Sequence, residues 1–502
     1  MSIVLGIDLG TQGLKVAAYD LERRSMVEQS SSALELISRD DGSREQLASW
    51  WVDALRSCVA ALSSDVRRRV RAIGVSGQQH GFVPVGRDGD VLGPVKLWCD
   101  TSTIVECEEI TAAAGGERRC IELTGNPVLP GYTASKVRWM ARADAAAYAR
   151  LTTILLPHDY INFHLTGERF MECGDASGTG WFDVRQRRWN PQMLAAIDSR
   201  RDLSACLPPL LGSGSVVPIS GAVADRLDLP RSAVVSVGGG DNMMAAIGTR
   251  NVKEGRLTVS LGTSGTLFAY ASRPVVDAQG RVAAFCSSTD GWLPLICTMN
   301  CTVATEQIRR IANIALPDTD RLLERTSVGA EGIVTLPFYN GERTPNLPKA
   351  KAAVLGLDMR NATPANLLRS AMEGATFALR HGRDVFSELD LKFDTVCVTG
   401  GGAASRVWRQ MVADVFGIPV VGLRYQESAA LGAALQAAHA YQQSRGGNQS
   451  LADLIDEHVA IDPAQCCEPD PENVRRYTGI YGSYQNHLDR LRPYYIQLER
   501  GA

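Results

Sequence analysis

The chain has 502 residues, 45% hydrophobic and 21% charged, with 52 Lys and Arg against 55 Asp and Glu for a formal net charge of -3. This length is more than one ordinary core serves, so two or more domains are expected. The weak negative balance gives no electrostatic reason to expect nucleic acid or an anionic membrane as partner, and no run is apolar for long enough to span a bilayer.

The start, "MSIVLG", lacks a basic leader region and runs straight into a strand, so a cytoplasmic protein is the default reading. "VLGIDLGTQGLKVAAYD" (Val4 to Asp20) predicts an apolar strand carrying Asp8, then a tight turn on Gly10, Thr11 and Gly13. A strand carboxylate facing the interior needs a partner; the alternative is a surface hairpin with a turn aspartate. "LASWWVDALRSCVAAL" has helical apolar spacing. In "IGVSGQQHGFVPVGRDGDVLGPVKLWCD" an apolar strand ends in Ser76, Gln78, Gln79 and His80. "RDGD" then predicts a hairpin turn, with "KLWCD" as the returning strand.

"GGGDNMMAAIG" puts Asp241 between a glycine-ended strand and a small-residue helix. A domain boundary is expected near "GTRNVKEGRL" (Gly248 to Leu257), giving domains 1–248 and 249–502. Two echoes cross it. "DLGTQGLKVAAY" matches "SLGTSGTLFAY", and "VVSVGGGDN" matches "VCVTGGGAAS", which argues for duplication of one α/β unit. Pro364 after Thr363 predicts a helix start in the second half. "HAYQQSRGGNQS" (His439 to Ser450) predicts a surface loop, and the aromatic-rich end a closing helix. The 12 cysteines have no zinc-type pairing, so most are expected to be reduced, buried and small-apolar in role.

Chemistry concentrates in three places. No Walker-type lysine loop exists, but glycine turns can aim backbone N–H groups at phosphate oxygens. The turns at Gly10–Thr11 and Gly262–Thr263 would thus hold a phosphate chain, the Thr hydroxyl adding a donor. Asp8 would repel such a chain unless a cation intervenes, which makes it a candidate Mg²⁺ organiser acting through water; Ser260 is its neutral counterpart. Asp241 is either a helix cap or a general base for a hydroxyl attacking phosphorus. The Gln79–His80 cluster suits polyol hydroxyls.

Together, "GIDLGTQGLKV", "LLPHDYINFHLTG", "DASGTGWFDV", "GGGDN", "SLGTSGT", "LPFYNGERTPN" and "VTGGGAASRVWRQMVADVFGIPV" resemble the FGGY carbohydrate kinases over nearly the whole chain. "SGQQHG" followed by "LWCD" narrows the resemblance to the branch acting on ketopentoses. The resemblance implies two ribonuclease-H-like α/β domains of the actin and hexokinase type with a cleft between them. The first would bind sugar and carry catalysis, the second would bind nucleotide. It implies ATP and Mg²⁺, with Asp8 as the Mg-associated aspartate and Asp241 as the base. Gln79, His80, Trp98, Asp241 and Asn242 would meet the sugar. Gly10, Thr11, Gly262, Thr263, Gly401, Gly402, Ala403 and Ser405 would meet the nucleotide. A small-molecule sugar and ATP are the expected partners, and a homodimer is left open. One departure is local: Trp98 is followed by Cys99, Asp100, Thr101 and Ser102, where the family has Asn-Asp-x-Arg. The missing Arg removes a fixed cation near the sugar end. The alternative is a kinase for another pentulose or a polyol of the ribulose type, with a non-catalytic actin-like nucleotide-binding sensor ranked after it; a dinucleotide-dependent dehydrogenase fails on glycine spacing.

Overall fold

The computed structural model describes residues 3–500; Met1 and Ser2, part of the start read as lacking a leader, lie outside them. The chain forms two compact units, each discontinuous in sequence. The first takes Met1–Val252, Tyr270–Pro294 and Glu427–Val459; the second takes Lys253–Ala269, Leu295–Gln426 and Ala460–Ala502. Segments 270–294 and 427–459 therefore pack with the N-terminal part rather than with the domain 249–502 expected from sequence.

The first unit is built on a mixed sheet whose central strand is Ile3–Leu9. It pairs antiparallel with Gly13–Asp20, which pairs antiparallel with Ser25–Ala33, so the predicted hairpin is part of a meander. On its other edge it pairs parallel with Val70–Gly77, which leads outward to Val234–Ser236 and Val216–Pro218. The predicted amphipathic helix is Ala48–Ala61; its Trp51, Leu55, Cys58 and Val59 join Leu5, Ile7, Val16 and Ile73 in one core.

The helix Ser428–Ser444 lies against the Ile3–Leu9 and Val70–Gly77 strands at backbone distance. A Cβ at Gly6 would stand 1.8 Å from the Ala430 carbonyl oxygen, and one at Gly74 would stand 1.9 Å from that of Ala433. Only glycine strands facing an alanine-rich helix allow this approach. It also explains why a segment so late in the chain belongs to the first unit. The same helix corrects the predicted loop at His439–Ser450, since it continues to Ser444 with His439 buried.

The second unit repeats the plan. Gly255–Leu261 pairs antiparallel with Gly265–Ala269 and parallel with Phe393–Thr399, which pairs parallel with Val420–Val421. Phe393–Thr399 thus corresponds to Val70–Gly77, and Val420–Val421 to Val234–Ser236. The first sequence echo is real in register, Asp8 and Ser260 holding matching places. The second is not: "VCVTGGG" and "VVSVGGG" occupy different strand positions, and their likeness lies in β-branched runs ending on glycine. The predicted helix start holds, with Thr363 Oγ1 accepting from Asn366 N at 3.2 Å and Pro364 first in the helix Pro364–Glu388. The C-terminal helix Pro471–Arg500 buries Tyr477, Tyr481, Tyr484, Leu488 and Tyr495. All 12 cysteines are free, and among the described residues no helix is long and apolar enough to cross a membrane.

Candidate active site

The parallel pairing of Ile3–Leu9 with Val70–Gly77 sets Asp8 directly beside Ser76, whose Oγ donates to Asp8 Oδ1 at 2.9 Å. Across the hairpin, Asp8 is in register with Lys15, whose Nζ is 2.7 Å from Glu427 Oε2. Burial raises the Asp8 carboxyl, the Ser76 hydroxyl and Lys15 pull it back, and Glu427 raises it further. The glycine turn closes with Gly10 N donating to Gly13 O at 3.0 Å. Its Thr11 hydroxyl donates to Gln78 Oε1 at 2.9 Å and accepts from Trp98 Nε1 at 3.0 Å. The Thr11 hydroxyl proton expected for phosphate is therefore committed to Gln78.

Asp241 is the first residue of the helix Asp241–Gly248, and Gly240 occupies the cap position. Its Oδ1 accepts from the Asn242 N–H at 2.8 Å and from Asn242 Nδ2 at 3.0 Å, and that same Nδ2 donates to Gln79 Oε1 at 2.9 Å. The side chain thus takes one first-turn N–H without holding the cap position, and Asn242 joins it to Gln79. Burial, then the carboxylates of Asp8 and Asp175, push the Asp241 carboxyl up to about 7, against the Asn242 donors. An acid balanced at that value suits proton transfer near neutral pH. Gln79 is buried, and its side chain also acts on Asp175, pulling that carboxyl down against the burial that raises it.

His80 has a φ of 65°, a left-handed conformation that neighbours must hold. Thr133 Oγ1 and Lys136 Nζ, both from the helix Thr133–Ala143, donate to its carbonyl at 3.1 and 3.0 Å. Its ring lies 4.9 Å from that of Tyr132 and 5.5 Å from that of Phe285. Lys136 is fully buried, and burial brings its ammonium down to about 7.

The hairpin through "RDGD" closes with Gly86 N donating to Asp90 O at 2.9 Å; the returning strand is short, Val95–Lys96, bridging antiparallel to Phe82 and pairing on its other side with Arg44–Gln46. Trp98 follows it with 40% of its surface exposed. A buried cation does stand beside Ser102: Lys96 Nζ is 3.0 Å from Asp100 Oδ2, 2.9 Å from Ser102 Oγ and 3.3 Å from Glu45 Oε1.

A fully buried cluster beneath the site went unassigned in the sequence. His158 Nδ1 is 2.9 Å from Asp175 Oδ2, and Nε2 is 2.9 Å from Asp159 Oδ1. Burial disfavours the imidazolium, yet the two carboxylates hold its pKa well above the ordinary value. Glu172, accepting from the N–H groups of Gly174 and Asp175 at 2.6 Å, is raised to about 7 by burial. The readable signal was charge inside apolar context, in "LLPHDY" and "MECGDASG".

In the second unit, Gly262 and Thr263 turn between the Gly255–Leu261 and Gly265–Ala269 strands, and their carbonyls accept from Thr302 N at 2.9 Å and Cys301 N at 3.0 Å. The short helical turn Gly401–Ala404 lies beside them, since a Cβ at Gly402 would stand 2.8 Å from Leu261 Cβ. Gly401 faces open space. Ser405 caps the helix Arg406–Phe416, accepting from Trp408 N at 3.0 Å and donating to Asp320 Oδ1 at 2.5 Å. Thr263, Gly401, Gly402, Ala403 and Ser405 are thus neighbours within one unit; Asp8, Thr11, Gln79, Trp98, Asp241 and Asn242 belong to the other.

Residues 3–248 match the model of the N-terminal domain of the FGGY family of carbohydrate kinases, and residues 257–441 that of its C-terminal domain. The chain is 40% identical to a xylulose kinase of Haemophilus influenzae over 495 residues, 97% of this chain and 99% of that one. It is 32% identical to a xylulose kinase of Escherichia coli over 98% of its length and 99% of the relative's. A solved structure described as a xyloylose kinase from Brucella ovis superposes with a TM-score of 0.90 at 29% identity, covering 98% of this chain and 99% of that one. The fold is the two-domain, mixed α/β fold of these kinases. The sequence resemblance and the strand plan thus lead to one conclusion: the chain belongs to the FGGY family of carbohydrate kinases.

Proposed function

We propose that this chain transfers the γ-phosphoryl group of ATP to the terminal hydroxyl of a ketopentose, D-xylulose, giving D-xylulose 5-phosphate and ADP. The observation that carries this reading is the Asp241 carboxyl, raised to about 7 and linked through Asn242 to Gln79. Relatives named xylulose kinase at 40% and 32% identity support the choice of sugar.

Gln79 and Asn242 orient the sugar hydroxyls, with Asn242 Nδ2 holding Gln79 Oε1 in place. Trp98 offers an exposed indole to the apolar face of the sugar. Asp241 accepts the proton of the terminal hydroxyl as that oxygen forms its bond to the γ-phosphorus. The bond from that phosphorus to the bridging oxygen breaks, and ADP leaves. The transition state is loose, so placement and charge neutralisation outweigh proton removal, which is worth about 10²–10⁴-fold. Within the second unit, the Gly262–Thr263 turn and its neighbours Gly401, Gly402, Ala403 and Ser405 meet the nucleotide; within the first, the Gly10–Thr11 turn meets phosphate.

Asp8 fits Mg²⁺. It has one hydroxyl donor on Oδ1, burial raises it, and its charge repels Asp241, so an added cation would relieve both. Mg²⁺ keeps much of its hydration shell, so a single carboxylate can hold it through water. Bound through water to Asp8, Mg²⁺ would neutralise phosphate charge. The reading includes a cytoplasmic location and a soluble sugar as the sole partner besides ATP, with light scattering as the check for a homodimer.

The test is ADP release across a panel of ketopentoses and polyols, for wild type and Asp241→Asn. Preference for D-xylulose and a loss of about 10²–10⁴-fold in turnover for the variant are expected. Near-wild-type turnover in the variant, or no ketose among the substrates, overturns the reading.

A further inference from the structure

The route by which Asp241 reaches its place contains an irregularity. Val234 and Val235 pair with Ala72 and Ile73, whereas Gly239 and Gly240 pair with Ser76 and Gly77. Between the two paired stretches this strand has one more residue than its partner, so Val237 and Gly238 form a bulge. Gly238 has φ +69°, and a Cβ there would stand 2.2 Å from the Val75 carbonyl oxygen. The bulged residues have lost their ladder partners and are buried.

Side chains replace those partners. Asn162 Nδ2 donates to the Val237 carbonyl at 2.8 Å. Gln436, fully buried on the Ser428–Ser444 helix, takes both main-chain groups of Gly238: Oε1 accepts from Gly238 N at 2.9 Å, and Nε2 donates to Gly238 O at 3.0 Å. Its remaining capacity goes to Ser236 Oγ at 3.1 Å and to the Ser288 carbonyl at 3.4 Å, so the amide is saturated. One side chain therefore stands where a neighbouring strand would, three residues before Asp241.

We propose that Gln436 is a positioning residue for Asp241: its amide locks the Gly238 bulge and so fixes the register in which Gly239 and Gly240 deliver the Asp241 carboxyl beside Gln79. A slip of one residue here would turn every following side chain to the opposite face. The proposal rests on Asp241 being the base, and it adds a residue that touches neither substrate. Asn162 alone holds only the Val237 carbonyl, so without Gln436 both polar groups of Gly238 are left to find new partners.

The experiment uses the full chain and compares Gln436→Met, which keeps length and loses every hydrogen bond, with Leu435→Ala, which removes buried packing from the same helix and leaves the bulge alone. Steady-state kinetics on D-xylulose and ATP are measured beside urea midpoints, with Asp241→Asn in parallel. Gln436→Met should lower kcat about 10–100-fold with KM for ATP within about twofold, while Leu435→Ala loses stability and keeps kcat. If Gln436→Met does not fold, Gln436→Asn, whose amide stops one methylene short of Gly238, takes its place with the same expected split. An unchanged kcat in the Gln436 variant, or an equal loss in Leu435→Ala at matched stability, overturns the proposal while the base assignment stands on Asp241→Asn. Near-wild-type turnover in Asp241→Asn overturns both.

Discussion

Trp98 Nε1 donates to Thr11 Oγ1 at 3.0 Å, which ties a 40%-exposed indole to the first glycine turn. The ring that meets the sugar in the proposed reaction is thus oriented by the turn that meets the nucleotide. Trp98→Phe keeps an aromatic face and removes this tie. One neutral hydrogen bond is worth about 0.5–1.5 kcal/mol, so KM for the sugar should rise about two- to tenfold. Initial-rate measurements check this, and an unchanged KM would detach Trp98 from the sugar.

Asp241 sets a pH dependence. Burial, with Asp8 and Asp175, raises it to about 7, and a base works ionised. The value of kcat/KM for the sugar, which reports the free enzyme, should therefore climb through pH about 7 and level off above it. A profile flat from about pH 5 to pH 9 would contradict this assignment.

The same shift has a sign in stability. The folded value lies above the ordinary 3.8, so as pH rises the unfolded chain ionises first. Stability present below the unfolded value is lost as pH climbs towards the folded one. Asp241→Asn has no proton to lose. Its urea midpoint should gain on wild type between about pH 4 and pH 7 and keep a constant lead above that.

Lys96 is the partner of two buried carboxylates, Asp100 and Glu45. Lys96→Met leaves both without their shared cation, although Asp100 keeps Arg44 N–H and the Ser102 hydroxyl as donors. Breaking a buried pair from one side costs about 3–5 kcal/mol, which urea unfolding would register directly.

Cys99 is half-buried, and burial raises its thiol pKa despite Lys136 and Arg44 nearby. The neutral thiol is a poor nucleophile. Iodoacetamide at neutral pH should leave turnover intact, with labelling of Cys99 appearing only as the pH is raised well into the alkaline range. Rapid inactivation at pH 7 with protection by sugar would show the opposite.

Beyond the family resemblance, what the sequence determined by itself was local. Period and turn chemistry located the first hairpin, the Ala48–Ala61 helix and the helix opening at Thr363–Pro364, because each depends on residues a few positions apart. Asp8 and Asp241 stood out because a carboxylate at the end of a buried strand or a glycine run needs a reason. Tertiary structure decided what depended on distance along the chain. The Ser428–Ser444 helix joins the first unit because alanines meet Gly6 and Gly74 at backbone distance. The Thr11 hydroxyl faces Gln78, and Lys96 meets Glu45 and Ser102, because folding brings side chains together across strands. The bulge before Asp241 is closed by Gln436, 198 positions from Gly238, and no local pattern could announce that pairing. A buried peptide group must find a partner, but the chain offers many, and only packing selects the one within 3 Å.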